Sequence, residues 1–514
     1  MLVPLDRITH ALRAAGLLDD ITGRGPDHVT GIADDSRGVT PGALFIAIRG
    51  TASDGHDFLA AAADRGAGIA IVESAGRTTL PTLVVSNARK AAAVAAAAAF
   101  DWPARSLTLI GVTGTNGKTT TVSVLRHLLD EPPASAASLG TLGVLVGSAG
   151  LALAGGAGLT TPGPVELQRV FRALVDAGVR RVAMEVSSHA LDQHRVEGVM
   201  FDAVVFTNLT HDHLDYHGTM DAYREAKVRL LDALGPSGSL VVNLDDPAWQ
   251  ALRTANRRVG FSIHEPAADV RAETIAFTPR GSQWTLRVDT GAQAAERVPV
   301  HLPLIGDFNV SNALGAAAAA WAIGVPPAEL ALRLNCVPQV PGRLEIIWPE
   351  PTILRDYAHT PDALARALDA VRPFARERLI LVFGCGGDRD RAKRPLMGAI
   401  AEAKADIAIV TSDNPRTEDP EQILDDIEAG MRGSTHERIE DRRSAIGRAL
   451  DRAGPGDLVI LAGKGHETYQ IRGTRRLPFD ERHVVETFMR KRLGRGTGAG
   501  VGGDRNREHD GRSS

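Results

Sequence analysis

The stretch Ser106-Leu-Thr-Leu-Ile-Gly-Val-Thr-Gly-Thr-Asn-Gly-Lys-Thr-Thr-Thr121 limits the folds open to this chain more than any other. Leu107, Leu109, Ile110 and Val112 read as an apolar strand. Gly114 and Gly117 permit a tight loop close to an anion, and Lys118 and Thr119 open a helix. A helix N-terminus presents unpaired N–H groups and a partial positive charge, so it suits phosphate. The lysine can reach terminal phosphates and the threonine hydroxyl can ligate magnesium. The usual phosphate loop has a glycine five residues before the glycine of Gly-Lys. Here Val112 holds that place, so the loop is a variant with Gly114-Thr115-Asn116-Gly117-Lys118-Thr119 as its core. Packing alone does not require Gly-Lys-Thr at a strand-to-helix turn.

The same alternation of strand and helix recurs along the 514 residues, a length that predicts about three domains. The first is expected over residues 1–102, with strands near 42–48, 68–72 and 82–85 and an Ala-rich helix over 88–100. Asp35-Ser36-Arg37 lies in a polar loop before the first of these strands. The second, 103–341, holds the phosphate loop. Further strands are expected at 181–186, 201–207 and 239–243, with an antiparallel addition over 258–305 and an Ala-rich helix at 309–323. The third, 342–493, repeats the pattern with strands at 352–355, 379–383, 407–411 and 458–461. Such alternation predicts an α/β fold: a central doubly wound, mostly parallel sheet and a Rossmann-like C-terminal domain. Residues 494–514 are rich in Gly, Arg and Ser without apolar periodicity and read as a disordered tail.

Composition removes several function classes. A formal charge of −4 without a basic stripe gives no reason to expect a nucleic-acid partner. Two distant cysteines, Cys336 and Cys385, form neither a disulfide framework nor a Cys-based zinc site, and fit a reducing cytoplasm. Asp6, Arg7 and Arg13 interrupt the apolar N-terminus and argue against a signal peptide. Residues 132–165 carry no charge, but their many glycines predict broken strands and loops rather than a membrane helix.

Polar residues at the ends of the apolar strands carry the chemistry. Glu185 ends one strand and His213 follows another, so both belong to the rim expected for Lys118. A carboxylate and a neutral imidazole there can hold magnesium beside nucleotide phosphates. Lys227 follows on a helix, where a lysine is ordinarily a solvated charge that repels Mg²⁺; it joins a metal site only if its charge is inverted, for example as a carbamate. In the third unit, loops carrying Arg389, Asp413-Asn414-Pro415-Arg416 and Gly463 to Glu467 follow three apolar strands. Arginine's planar fork matches a carboxylate and the acids match ammonium groups, so the set suits a zwitterionic ligand.

With these residues in hand, the chain resembles the Mur ligases over residues 25–490. The resemblance rests on Gly114 to Thr119, Glu185-Val-Ser-Ser-His189, Asp212-His213, the Lys227 helix, Gly306-Asp-Phe-Asn-Val-Ser-Asn312, Pro341-Gly-Arg343, Asp356-Tyr-Ala-His359, Asp413 to Arg416 and Gly463 to Glu467. It implies an ATP-dependent, ADP-forming ligase of peptidoglycan precursor synthesis. The type most resembled adds meso-2,6-diaminopimelate to UDP-N-acetylmuramoyl-L-alanyl-D-glutamate. ATP is then bound by Thr113, Gly114, Thr115, Asn116, Gly117, Lys118 and Thr119, with Asn309 or Asn312 near the adenine and Arg343 and Asp356 also on the nucleotide. The UDP-linked substrate falls to Ser36, Thr160, Thr161, Ser187, Gln193 and Arg195. Diaminopimelate falls to Arg389, Asp413, Asn414, Pro415, Arg416, Gly463 and Glu467. Lys227 matches the family's carbamylated lysine, which with Thr119, Glu185 and His213 would hold two Mg²⁺ ions. Lysine-adding relatives usually lack the arginine of Asp-Asn-Pro-Arg, so Arg416 decides the amino acid. The resemblance further implies small-molecule substrates only, no membrane span, a monomer and a cytoplasmic location. Two alternatives remain: a lysine-adding ligase of the same family, and a catalytically inactive nucleotide-binding scaffold.

Overall fold

The structure is a computed structural model that describes residues 2–50, 53–156, 158–291, 294–433 and 436–497. Its strands form three main sheets and two small ribbons. The chain divides into two compact units. Met1–Pro338 carries the first two main sheets and Gln339–Ser514 the third.

The first sheet runs in the order Leu18–Thr22, Thr82–Val85, Ile69–Val72, Leu44–Ile46, Ile32–Ala33. All its pairings are parallel except that of Leu18–Thr22, an edge strand whose polar sequence hid it from pattern reading. The Ala-rich helix Ala88–Ala99 starts where the Asn87 side chain accepts the Lys90 N–H at 3.0 Å. Ten of its 12 residues are buried, so helices Leu5–Ala14 and Pro164–Asp176 both pack against it, an approach that small side chains permit.

The central sheet has eleven strands. Seven neighbours run parallel: Ala136–Gly140, Arg181–Glu185, Thr108–Thr113, Phe201–Phe206, Leu234–Asn243, Arg257–Ser262 and Val270–Thr278. Leu109, Val182, Met184, Val204, Phe206, Leu240 and Val242 share one core with helix Pro164–Asp176 and Trp249. The intervening Ile110, Val112, Ala183, Val205 and Val241 are equally buried. A strand buried on both faces therefore reads as a continuous apolar run.

The antiparallel addition differs from expectation. Arg257–Ser262 pairs in parallel on both sides, and antiparallel pairing begins only between Val270–Thr278 and Gly281–Val288, continuing to Glu296–Leu302. A second antiparallel extension, Gly143–Val146 and Leu151–Leu153, sits at the opposite edge. It is built from the uncharged stretch, whose glycines turn the chain back before any helix can form. No helix among the described residues is long and apolar enough to cross a membrane.

The third sheet runs Glu345–Trp348, Thr352–Asp356, Leu458–Ala462, Leu379–Phe383, Ile407–Val410, Glu437–Arg438, with only the first pairing antiparallel. Behind it Arg442 and Glu481 form an ion pair at 2.8 Å with both side chains fully buried. The last helix, Glu481–Thr497, runs four residues into the stretch read as a tail, carried on by its docked apolar residues Val484, Val485 and Met489. The remainder of that stretch, 498–514, lies outside the described residues.

Candidate active site

In the first unit the strand order sets the site. Thr108–Thr113 lies between Arg181–Glu185 and Phe201–Phe206, all parallel, with Glu185 in register with Val112 and Phe206 with Thr113. The phosphate loop, Glu185 and the segment after Phe206 therefore leave the sheet at one rim, where ligands of open α/β sheets collect.

The loop is clamped from that neighbouring segment. Thr115 N–H donates to the Asn208 carbonyl and Asn116 N–H to Asn208 Oδ1, both at 2.8 Å. Thr207 Oγ1 donates to the Asn116 carbonyl at 2.7 Å. Thr210 N–H donates to Thr115 Oγ1 at 3.0 Å. Two glycines make this possible. A Cβ on Gly114, whose φ is +148°, would lie 1.9 Å from Thr207 Oγ1, and one on Gly117 would lie 2.2 Å from Asn312 Oδ1. Asn312 thus sits against the loop. Asn309 turns its amide inward, donating to the Ile305 carbonyl at 2.8 Å and accepting from Asn312, so it braces Asn312.

Two lysines converge on one carbonyl. Lys118 Nζ donates to the Gly114 and Thr115 carbonyls at 2.9 and 2.8 Å, and Lys227 Nζ donates to the Gly114 carbonyl at 2.8 Å. Lys227 is buried and its Nζ lies 4.3 Å over the ring of Tyr223, itself buried. Burial, with Lys118 beside it and only Asp212 opposing, holds the Lys227 amine well below its ordinary range. Its neutral form is the one that reacts with CO₂.

His213 belongs to an aromatic cluster, with ring centroids 4.9 Å from His189 and 6.0 Å from Tyr223. Burial pushes the His213 imidazole down to about 4; Lys118 and Lys227 add to this and Asp212 opposes it. A neutral imidazole is a metal ligand. Glu185 is buried and accepts Thr141 N–H at 2.8 Å and Thr141 Oγ1 at 3.2 Å, leaving further lone pairs on both oxygens. The described residues contain no group of three or more His, Cys, Asp or Glu placed to hold an ion alone. One carboxylate, one imidazole and the Thr119 hydroxyl fit Mg²⁺, which takes few protein ligands and completes its shell with phosphates and water.

The residues expected to meet the UDP-linked substrate also come together. A cavity of about 660 Å³ is lined by Asp34, Ser36, Arg37, Phe58, Arg89, Gln193 and Arg195, among others. Ser36 opens the short turn Ser36–Gly38, capped by Asp35. From the cavity, Arg195 donates to the Thr161 carbonyl at 2.9 Å, and Thr161 Oγ1 donates to the Glu185 carbonyl at 2.9 Å. Ser187 N–H donates back to Thr161 Oγ1 at 3.0 Å, and Thr160 Oγ1 lies 3.3 Å from Thr141 Oγ1. A continuous hydrogen-bonded path thus links cavity and Glu185.

In the second unit the strands Thr352–Asp356, Leu458–Ala462, Leu379–Phe383 and Ile407–Val410 are adjacent and parallel, so their following loops share one rim. Arg416 has φ +53° and is held there by its N–H to the Ile471 carbonyl, 3.0 Å, and by Gly473 N–H to its own carbonyl, 2.6 Å. Its Nη1 donates to the Gly387 carbonyl at 2.7 Å. A Cβ on Gly386 would lie 2.9 Å from Arg416 Nη1 and 3.9 Å from Arg389 Cγ, so the two arginines flank that glycine. Gly387 packs against the Pro415 carbonyl. Asp413 is buried, and its Oδ2 has no hydrogen-bond partner among the described residues and faces Gly463, where a Cβ would stand 2.7 Å away. Asn414 Nδ2 donates to Glu467 Oε2 at 2.8 Å. Asp356 is buried and accepts Leu344 N–H at 2.7 Å and Ala358 N–H at 2.8 Å, so it fixes the backbone beside Arg343, whose guanidinium lies 4.7 Å over the Tyr357 ring.

Sequence reasoning missed Thr207, Thr210, Thr141, Tyr223 and Lys464. Only the polar run directly after the Phe201–Phe206 strand signalled the first two.

Three family profiles match the chain: "Mur ligase family, catalytic domain" over residues 28–103, "Mur ligase middle domain" over 112–320 and "Mur ligase, glutamate ligase domain" over 342–465. A protein of Geobacillus thermodenitrificans named UDP-N-acetylmuramoyl-L-alanyl-D-glutamate–2,6-diaminopimelate ligase is 45% identical over 482 residues, covering 91% of this chain and 96% of its own. A protein of the same name from Gloeobacter violaceus is 45% identical over 475 residues, covering 91% and 95%. A solved structure of a ligase with that name is 32% identical with a TM-score of 0.65, covering 96% of this chain and 100% of its own.

Proposed function

Because the chain belongs to the Mur ligase family, we infer that it is the ATP-dependent ligase that joins meso-2,6-diaminopimelate to the D-glutamate side-chain carboxylate of UDP-N-acetylmuramoyl-L-alanyl-D-glutamate. ATP is split to ADP and phosphate, and the product is a peptidoglycan precursor. The observation that carries this reading is the 45% identity, over 91% of the chain, to relatives named for that reaction.

The site roles follow as our assignment. The substrate carboxylate attacks the γ-phosphorus of ATP, ADP leaves, and an acyl phosphate forms. An amine of diaminopimelate then attacks the acyl carbon, loses a proton, and phosphate departs as the amide forms. Residues 1–102 hold the UDP moiety through Ser36; 103–341 bind ATP; 342–493 bind the amino acid. The clamped loop from Thr113 to Thr119 cradles the phosphates; its Thr115 and Asn116 N–H groups go to Asn208, so the phosphates fall to the N–H groups at the helix start, Gly117 to Thr119. Lys118 leaves the Gly114 and Thr115 carbonyls to neutralise charge on the transferring phosphoryl. Thr119, Glu185, His213 and Lys227 as its carbamate would hold two Mg²⁺ ions, which supply charge neutralisation at the phosphates. Lys227's depressed basicity supports the carbamate, since an ammonium cannot react with CO₂. Arg389 and Arg416 take carboxylate, and Asp413 and Glu467 take ammonium. Asp413 Oδ2, without a partner among the described residues, supports this: a buried carboxylate oxygen without a donor is costly until a ligand supplies one. We place the enzyme in the cytoplasm as a monomer without nucleic-acid partners.

Incubation with ATP, the UDP-linked dipeptide and diaminopimelate should yield a product heavier by diaminopimelate less water, read by mass spectrometry. A lysine adduct formed in preference would reverse the choice of amino acid. Gly114→Ala should raise the KM for ATP about tenfold or more, because its Cβ meets Thr207 Oγ1 and its φ disfavours any side chain, a strain of roughly 1–3 kcal/mol. Steady-state kinetics with varied ATP checks this.

A further inference from the structure

Lys464 has no place in the roles assigned above, and its position demands one. Its side chain is fully buried. Its Nζ donates to Asn414 Oδ1 and to Glu467 Oε2, both at 3.1 Å. The two partners come from different loops: Asn414 follows the Ile407–Val410 strand and Glu467 the Leu458–Ala462 strand, and Leu379–Phe383 lies between them. Lys464 therefore ties together two loops of the amino-acid site across an intervening strand.

The tie fixes hydrogen-bonding polarity. Asn414 Oδ1 accepts from Lys464 Nζ and from Ile471 N–H at 2.9 Å. Both partners are donors only, so a flipped amide would set N–H against N–H. Asn414 Nδ2 must then point the other way, giving one N–H to Glu467 and leaving its second without a hydrogen bond among the described residues. Glu467 is ordered by the same contact. Its Oε2 receives Lys464 and Asn414, while among the described residues Oε1 has only the Tyr469 hydroxyl at 3.4 Å. That oxygen is the end open to an ammonium group.

We propose that Lys464 is a positioning residue that sets the amino-acid specificity of the site: it holds the Asn414 amide as a carboxylate donor and Glu467 Oε1 as an ammonium acceptor. This rests on the assignment of Asn414 and Glu467 to the amino-acid site. Diaminopimelate differs from lysine by a second carboxylate, so the Asn414 N–H bears on the difference between them. Without Lys464 the amide loses one of the two donors that fix its polarity and Glu467 loses the cation that orders it, so both ligand-facing groups are held less firmly.

The test is kinetics of Lys464→Met and Lys464→Arg in the full chain, varying each substrate in turn. Lys464→Met should raise the KM for diaminopimelate tenfold or more, lower the preference for diaminopimelate over lysine by a similar factor, and leave the KM for ATP within twofold. Lys464→Arg, which keeps donors at the same place, should recover most of the preference. If the methionine variant does not fold, Asn414→Asp carries the test, because it offers Lys464 the same acceptor but no N–H to the ligand. It should lose the preference likewise. An unchanged KM for diaminopimelate, or equal changes for all three substrates, would overturn the proposal. Absence of diaminopimelate-dependent turnover in the wild-type chain would instead overturn the reading of the site on which it rests.

Discussion

Lys118→Ala should reduce ATP-dependent amide formation by about 1,000-fold or more, the usual scale for losing a cation aimed at a transferring phosphoryl group. The ammonium lies within the phosphate loop, 2.8 and 2.9 Å from two of its carbonyls. Those carbonyls hold it only until phosphate oxygens offer stronger acceptors. Alanine removes the charge without touching the backbone clamp, which Thr207, Asn208 and Thr210 supply. Affinity for the UDP-linked dipeptide should therefore remain while kcat collapses. Single-turnover phosphate release together with dipeptide binding by calorimetry separates the two. A variant within tenfold of wild type would show that the loop does not carry the chemistry.

Arg416→Ala should lower kcat/KM for diaminopimelate by about 30- to 1,000-fold, the range for truncating one partner of a charge-assisted pair. It should change turnover with lysine far less, since lysine lacks the second carboxylate. Arg416 is held in a left-handed conformation by Ile471 and Gly473, and its guanidinium is braced on the Gly387 carbonyl. Such a conformation is costly for a non-glycine residue and marks a side chain placed for a purpose. Competition between diaminopimelate and lysine, read by product mass, gives the ratio directly. Equal losses with both amino acids would mean that Arg416 supports the loop rather than reading the ligand.

Much of the architecture could be read from the chain because buried parallel strands leave a plain mark. Val182, Ala183 and Met184 are buried on alternate faces, so the middle of their strand is an unbroken apolar run between Arg181 and Glu185. The motif residues stand directly after such strands, which placed Lys118, Glu185, Asp413 and Gly463 on shared rims once the strand order was known. What stayed hidden depended on partners distant in sequence. Leu18–Thr22 is a polar edge strand whose only argument for existing is its pairing with Thr82–Val85. Arg257–Ser262 has the composition of any short strand, and nothing local shows that both neighbours run parallel. Lys464 in a Gly-Lys-Gly loop looks like a surface charge; its burial exists only because Asn414 and Glu467 meet there. Tyr223, four residues before Lys227, offered no sign that its ring would lie beneath that lysine's amine.

One chain couples ATP cleavage to amide formation with diaminopimelate. Phosphate release measured in the presence of ATP, UDP-N-acetylmuramoyl-L-alanyl-D-glutamate and either amino acid tests it most directly. Rapid release is predicted only when dipeptide and diaminopimelate are both present, and lysine should support far less. Release that ignores the dipeptide, or that runs faster with lysine, would contradict it.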